Sequence, residues 1–253
     1  MTQISAVIIT KNEENNIGRC LKSLEGVADE IIVVDSFSED QTEAICSNYG
    51  VRFVQKVFID YSDQKNYANS LAGNEFILSI DADEELSPEL RNSILSQKNT
   101  LEADGYQFNR KTNYCGAWIN HCGWYPDTKL RLFKKSKAEW KGSIHEELIL
   151  SSQHIIHLKG DILHYSFPDI ESHLRKMNHF TDYMAQNMYN KNKKVSLLKL
   201  IISPGFEFIK KYILQLGFLD GYQGFIISKM AAHYKFYKFA KLREKYNFRK
   251  SDT

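Results

Sequence analysis

The sequence predicts an α/β protein with a mostly parallel sheet flanked by helices, followed by a helical C-terminal extension. Three observations support this prediction. Short apolar runs alternate with helical patterns over the first hundred residues, the central runs are almost wholly apolar, and the charge changes sign near residue 173. Strand and helix in turn are typical of βαβ units, in which neighbouring strands run parallel.

The elements follow from local patterns. β-branched and aromatic runs predict four strands, at 4–10, 30–36, 52–58 and 75–81. The spacing of apolar residues predicts a helix after each of the first two strands, and Gly50 ends the second of these helices. Ser87 and Pro88 predict the start of a later helix. Residues 105–165 are irregular and strand-like, which indicates antiparallel structure. Helices are expected from 170 onward, with interruptions at 203–205 and near 217–224.

These patterns suggest a catalytic domain over residues 1–170, divided near residue 100, and a basic amphipathic helical region over 171–253. Residues 1–173 carry 17 basic and 26 acidic side chains, net −9, whereas residues 174–253 carry 16 and 5, net +11. The chain has no apolar stretch long enough for a membrane span and no secretory leader, so we expect a cytoplasmic location. Its four cysteines form no CxxC pair, which argues against a zinc site or a disulfide framework.

The segment FILSIDADEEL, residues 76–86, contains the sharpest functional pattern. Asp81 and Asp83 follow a buried strand, at the edge of an open α/β sheet where ligands bind. Carboxylate oxygens there suit Mg²⁺ or Mn²⁺, which also bind phosphates. The alternative is an acidic turn in which Glu84 and Glu85 favour the dipole of the next helix.

Polar residues follow the first two strands in the same way. Asp35 could accept hydrogen bonds from a base or ribose, and Thr10 and Glu13 could reach the same ligand. The alternative is that the acidic residues after the second strand, Asp35 and Asp40, only cap the next helix, a role that suits Asp40 better than Asp35.

Taken in order, TKNEE, VVDSFSEDQT and LSIDADEEL resemble the family 2 glycosyltransferases of the GT-A, Rossmann-like fold. GAWINHCGWYPDTKLRLFKK, GSIHEEL and LHYSFPDIESHLRKMNHF are similar to the lipopolysaccharide core glucosyltransferase branch, the WaaE/KdtX-like enzymes. The resemblance covers nearly the whole chain. It implies inverting transfer of a sugar, such as glucose or another hexose, from a nucleotide-sugar, commonly UDP-linked, to a glycan or lipid-linked acceptor.

The resemblance also implies roles for individual residues. Asp35 would hold the uracil or ribose, Asp81 the sugar-nucleotide and Asp83 the Mg²⁺ or Mn²⁺ ion. Lys65 could contact the donor, or be an exposed helical lysine. Arg131 could pair with phosphate through its forked donors.

The catalytic base and a second metal ligand have two candidates each. Asp127 in PDTKLRLF is the first choice for the base, although Pro126 stands before it where the family usually has Glu, and Glu146 is the alternative. His145 lies where many GT-A enzymes place a metal-binding histidine, and His164 competes for that role. Trp124 and Tyr125 could stack on the acceptor sugar, or pack in the core.

The basic C-terminal region suggests helices at an anionic membrane surface, the alternative being that its apolar faces cover the catalytic domain. Two other classes compete with the transferase prediction. A nucleotidyltransferase would need a glycine-rich loop after the first strand, and TKNEENN has none. A nucleic-acid binder could use the basic, aromatic tail, but the acidic N-terminal half would repel phosphate, so no nucleic acid is expected.

Overall fold

The structure is a computed structural model that describes residues 2–142 and 146–251, with side chains described as far as residue 247. His145, one of the predicted metal ligands, lies outside the described residues. The chain forms two compact units. We call residues 1–111 with 127–165 the sheet unit, and residues 112–126 with 166–253 the helical unit. The predicted domain boundaries near 100 and 170 stay predictions.

Short apolar runs form the strands, as the sequence predicts. In chain order they are β1 (Ile4–Thr10), β2 (Glu30–Asp35), β3 (Arg52–Gln55), β4 (Phe76–Asp81), β5 (Glu84–Leu86), β6 (Gly105–Tyr114), β7 (Ala117–Trp118), β8 (Asp127–Lys134), β9 (Ala138–Lys141), β10 (Glu147–Leu150) and β11 (Ile155–Phe167). The third strand ends at Gln55, three residues before the predicted end, and the exposed side chains of Val57 and Phe58 explain why burial does not extend it.

The main sheet has the order β3-β2-β1-β4-β8-β6-β11-β5, with β7 paired to β6. β1, β2, β3 and β4 are parallel to one another, whereas β8 joins β4 antiparallel and begins the antiparallel part. β9 and β10 form a separate two-stranded sheet. The α/β prediction is confirmed, as is the antiparallel character of the middle third.

The parallel strands are buried on both faces, which is why their sequences are continuous apolar runs. Ile8 and Leu78 point into one hydrophobic cluster, while the next residues along the alternation, Val7 and Ile77, point into a second. This packing fixes the register of β1 against its neighbours and therefore fixes which polar residues meet at the strand ends.

Helices cover the sheet and build the helical unit. They are α1 (Ile17–Leu24), α2 (Thr42–Ser47), α3 (Tyr61–Leu71), α4 (Pro88–Gln97), α5 (Ile170–Asn190), α6 (Leu197–Ile209) and α7 (Gly221–Ser251). α6 continues through Pro204, so the interruption predicted at 203–205 is wrong; the helix packs along α7, and that packing compensates for the hydrogen bond that proline removes. The second interruption is confirmed by a π-helical turn at Lys210–Leu214 and a 3₁₀ turn at Gly217–Asp220.

The acidic residues after β4 do not begin a helix. Glu84 and Glu85 lie in β5, and α4 starts later, at Pro88, with the Ser87 side chain accepting from the Leu90 amide. The helix-dipole alternative for Glu84 and Glu85 is therefore wrong. Glu84 is buried, and its charge is used by arginines from other strands.

Candidate active site

The carboxyl ends of three parallel strands bring predicted residues together. In the register of the sheet Thr10 lies beside Asp35 on β2, and Ile9 lies beside Asp81 on β4. Thr10, Asp35 and Asp81 therefore occupy one edge of the sheet, the edge at which open α/β sheets bind ligands. Glu13 follows in the loop after β1, where its Oε2 accepts a hydrogen bond from Asn16 at 2.8 Å.

The Asp35 side chain is fully buried and organises the loop after β2. Its Oδ2 accepts from the backbone amide of Ser38 at 2.7 Å, and its Oδ1 accepts from the Ser38 hydroxyl. The Ser38 hydroxyl also accepts from the Asn12 amide at 2.8 Å, which ties this loop to the loop after β1. Asp35 thus shapes the two loops that border the sheet edge.

Buried polar atoms at this edge lack partners. Thr10 Oγ1 and Gln64 Oε1 have no hydrogen-bond partner within the described part of the chain, while the Gln64 amide nitrogen donates to Ser36 Oγ at 3.1 Å. Since a buried polar atom left unpaired costs about 1–3 kcal/mol, such atoms are expected to meet a ligand or water.

Asp81 lies between two cations. Its Oδ1 is 3.0 Å from Lys65 Nζ, and its Oδ2 is 2.7 Å from Arg131 Nη2. Burial works against ionisation of Asp81, but Arg131 and Lys65 hold the pKa of this carboxyl far below its usual value. Lys65 is only 2% exposed, so the alternative of an exposed helical lysine is wrong.

The contacts of Asp81 extend into a longer chain of alternating charges, which we call the ion chain. Lys65 also contacts Glu146 Oε1 at 3.1 Å, and Arg131 contacts Glu84 Oε1 at 3.3 Å. The members in order are Glu146, Lys65, Asp81, Arg131, Glu84, Arg110, Asp127 and Lys129. Its four acidic and four basic side chains make the ion chain neutral. Both candidates for the catalytic base, Asp127 and Glu146, belong to it.

Asp127, the first candidate for the catalytic base, forms ion pairs with two cations. Its Oδ2 accepts from Arg110 Nη2 at 2.8 Å and Nε at 3.0 Å, and its Oδ1 lies 2.9 Å from Lys129 Nζ. Partial burial opposes ionisation, yet Lys129 and Arg110 lower the pKa of Asp127 below its ordinary value. These contacts fix the carboxylate in its ionised form and reduce its basicity.

Asp83 forms the other half of the aspartate motif and faces a histidine. His164 on β11 places Nε2 3.2 Å from Asp83 Oδ2, and its Nδ1 is buried without a partner in the described residues. The Asp83 carboxylate suits Mg²⁺ or Mn²⁺, and of these two ions the transition metal Mn²⁺ is the better match for an additional imidazole nitrogen. Within the described ranges no three His, Cys, Asp or Glu side chains form a metal-binding group. A metal on Asp83 and His164 would therefore take further ligands from phosphate or water, as Mg²⁺ commonly does.

Sequence reasoning missed four contributors to this site. Glu84, Arg110 and Lys129 complete the ion chain. Trp140 lies under it, with Lys65 Nζ 4.5 Å and Arg131 Cζ 5.8 Å from its ring. Trp140 is held by hydrogen bonds in both directions with Asn66 on α3. Only the alternation of Arg110 along β6 could have signalled that it points inward.

The two predicted acceptor residues lie in the helical unit. The Trp124 ring packs on Tyr114 and Phe167, with ring centroids 5.8 and 5.6 Å away. Part of the ring is therefore used in core packing, as the alternative interpretation holds. Tyr125 is half-buried next to it. Their role toward an acceptor stays a prediction.

The mostly parallel sheet flanked by helices is the fold of the GT-A class of glycosyltransferase. The crystal structure of S. aureus TarS 1-349 is similar in fold, with a TM-score of 0.50 and 16% identity over 97% of this chain and 91% of that one. A glucosyl-3-phosphoglycerate synthase from Mycobacterium tuberculosis, crystallised with Mn²⁺, UDP and glucosyl-3-phosphoglycerate, also has a TM-score of 0.50, at 17% identity, over 77% of this chain and 82% of that one.

The family model "Glycosyl transferase family 2" matches residues 5–145, and the chain belongs to this family. An uncharacterized glycosyltransferase of Rickettsia typhi is 33% identical over 96% of this chain and 88% of its own length. The lipopolysaccharide core biosynthesis glycosyltransferase LpsC of Rhizobium meliloti is 28% identical over 96% of this chain and 93% of its own length. The predicted family and enzyme class, a glycosyltransferase, are confirmed.

Proposed function

We propose that this enzyme is a metal-dependent, inverting glycosyltransferase that moves glucose or another hexose from a UDP-sugar to a lipid-linked glycan of the cell envelope, in lipopolysaccharide core assembly. One observation carries the proposal: Asp83 and His164 pair at 3.2 Å, two residues from the Asp81 carboxylate at the same sheet edge. The name of the Rhizobium relative and the UDP in the mycobacterial structure support the choice of acceptor and donor.

The residues divide the work of donor binding. Thr10 and Asp35 at the ends of β1 and β2 would receive the nucleoside, Thr10 through its hydroxyl, which has no partner among the described residues. Asp83 and His164 would hold Mg²⁺ or Mn²⁺, which supplies positive charge against the departing diphosphate when bound. Asp81 keeps Lys65 and Arg131 in place, so that these cations face the sheet edge in a fixed geometry.

Inverting transfer also needs a base for the acceptor hydroxyl. We propose Asp127 for this role, with Glu146 as the alternative. Asp127 is ionised and is held in one orientation by its hydrogen bonds with Arg110, although the same contacts reduce its basicity. Its lowered pKa means that an acceptor must loosen one of its ion pairs to make it more basic.

The helical unit supports a peripheral location on the cytoplasmic face of the membrane. Exposed apolar side chains follow one another along α6 and the turn after it: Leu197, Leu198, Ile201, Ile202, Phe206, Ile209, Ile213 and Leu214. We call this set the α6 apolar surface. Exposed apolar patches mark interaction sites, and the net charge of +11 after residue 173 favours anionic lipid. Within the described residues, no helix has the length and apolarity for a membrane span.

The test is a panel of nucleotide-sugars with the full chain, with and without Mn²⁺, in which thermal stabilisation and slow donor hydrolysis are measured. We expect a UDP-hexose to give the largest metal-dependent response and Asp83→Asn to abolish it. The control Asp182→Asn, at an exposed position on α5, should respond as wild type does. A wild-type protein that responds to no donor in the presence of Mn²⁺ would contradict the proposal.

The same assay separates the two base candidates once an acceptor extract is added. Asp127→Asn should keep the donor response and lose transfer. If Asp127→Asn transfers normally while Glu146→Gln does not, Glu146 is the base.

A further inference from the structure

The helical unit encloses a cavity that has no part in the donor chemistry described above. Its volume is about 400 Å³, within the range of roughly 300–1,000 Å³ that is usual for small-ligand sites. Its walls come from α5, α6, the π-helical turn and α7. Its polar and aromatic side chains are those of Trp124, His173, Glu207, Lys211, Tyr234, Lys235 and Lys238.

The cavity holds more positive than negative charge. Lys235 Nζ is paired with Glu207 Oε2 at 2.9 Å, which neutralises one of the three lysines. Lys211 Nζ donates to the neutral Cys122 carbonyl at 2.8 Å, and Glu207, which is already paired with Lys235, offsets only part of its charge. Lys238 contacts two aromatic rings, with its Nζ 5.3 Å from Tyr234 and 5.2 Å from Phe239, and no carboxylate in the described residues pairs with it.

The charged forms of Lys211 and Lys238 are disfavoured in this cavity. Burial lowers the pKa of Lys238, and the neighbouring Lys235 lowers it further. Burial and Lys210 likewise lower the pKa of Lys211. Both lysines would be stabilised in their charged form by an anion between them, because an opposite charge offsets desolvation and mutual repulsion.

We propose that this cavity binds a sugar that carries a phosphate or a carboxylate, with Lys211 and Lys238 on the anionic group and Trp124 or Tyr234 against the ring. Lysine binds phosphate as a compact charge with several donors. Aromatic side chains offer an apolar face to a small ligand, which orients it in the cavity. The inference goes beyond the proposed transferase reaction and does not depend on the donor site, since all the residues involved belong to the helical unit. Among them Trp124 also has a predicted role toward the acceptor, and the inference does not depend on that role.

Calorimetric titration with glucose 6-phosphate tests the proposal. The titration uses the full chain in EDTA, so that binding at the donor site does not contribute. We expect glucose 6-phosphate to bind, and glucose at the same concentration to give no heat. Lys238→Gln should weaken the affinity roughly tenfold or more, since a hydrogen bond to a charged group contributes about 1.5–3 kcal/mol.

Lys229→Gln is the matched control, because Lys229 is exposed on the same helix and does not line the cavity. It should keep the wild-type affinity. Circular dichroism of both variants checks that the fold is retained. Absence of binding to the wild type, or equal affinity of wild type and Lys238→Gln, would overturn the proposal.

Two further titrations identify the source of the anion. Inorganic phosphate should bind more weakly than glucose 6-phosphate; equal affinity would remove the sugar from the proposal. Vesicles of phosphatidylglycerol should bind wild type and Lys238→Gln alike. If Lys238→Gln loses vesicle binding and glucose 6-phosphate does not bind, the cavity takes a lipid headgroup and the sugar assignment is wrong.

Discussion

Replacing Glu84 by Gln tests whether the ion chain depends on its most buried member. The Glu84 side chain is 0% exposed, and its Oε1 lies 3.3 Å from Arg131 and 3.4 Å from Arg110. Its Oε2 accepts from the Asp81 amide at 3.0 Å. Glutamine has the same shape, and its amide oxygen can still accept from this backbone amide. Its NH2 group then faces the two arginines in place of a carboxylate oxygen, so the substitution removes the charge and one acceptor.

The expected loss of stability follows from burial. Removing one partner of a buried ion pair costs about 3–5 kcal/mol, because the other charge is left without compensation. Arg131 keeps Asp81 as a partner, so we expect the lower end, about 3 kcal/mol. For a chain of this size that corresponds to a fall in Tm of roughly 6–12 °C.

Urea unfolding followed by circular dichroism measures the change at pH 7. Glu139→Gln is the control, since Glu139 belongs to the same unit, pairs with Lys141 and is 64% exposed. Exposed pairs contribute roughly 0–1 kcal/mol, so this variant should unfold almost as wild type does. If Glu84→Gln loses less than about 1 kcal/mol, the ion chain does not compensate its buried charges in the way described.

Two further predictions concern the helical unit. Burial, with a smaller contribution from Lys176, lowers the pKa of His173 from 6.5 to about 4, so the unfolded chain takes up a proton at a higher pH than the folded protein. Stability from this residue is complete above pH 6.5 and falls as the pH drops toward 4. The full shift corresponds to about 3–4 kcal/mol, which the partial exposure of the ring reduces to about 2–3 kcal/mol. His173→Gln should flatten that part of the stability profile, and an unchanged slope would contradict this prediction. Leu198→Glu, at a residue 67% exposed on the α6 apolar surface, should lower the fraction of protein that sediments with phosphatidylglycerol vesicles. Leu95→Glu, on the exposed side of α4, is the matched control and should sediment as wild type does. If Leu198→Glu also sediments as wild type does, membrane docking through the α6 apolar surface is contradicted.

The parallel half of the fold could be predicted from the sequence because its signals are local. Strands buried on both faces are recognisable from the run around Ile77, and capping by Ser87 marks the start of α4. The aspartates at the strand ends followed from the same pattern, since parallel strands bring their carboxyl ends to one edge.

The ion chain could not be predicted because its contacts are distant in sequence. Glu84 meets Arg110 from 26 residues away and Arg131 from 47 residues away, across antiparallel strands whose register no local pattern fixes. Two consecutive acidic residues before a helix are typical of a helix start, which is why the sequence favours that interpretation of Glu84 and Glu85. In the structure they lie in β5, and Glu84 is buried. The same holds for Pro204, because packing on α7 outweighed its local preference.

The position of Trp140 gives the site an optical signal of its own. Its ring lies 4.5 Å from the Lys65 ammonium, and a charge at that distance affects the energy of the excited indole. A ligand that draws Lys65 away from Asp81 would therefore change the emission of Trp140 without any added label. Trp118 and Trp124 belong to the other unit, so a background that carries both Trp118→Phe and Trp124→Phe would separate events at the sheet edge from events in the helical unit. Donor binding could then be followed in real time, by stopped-flow mixing, in a protein that carries only its natural fluorophores.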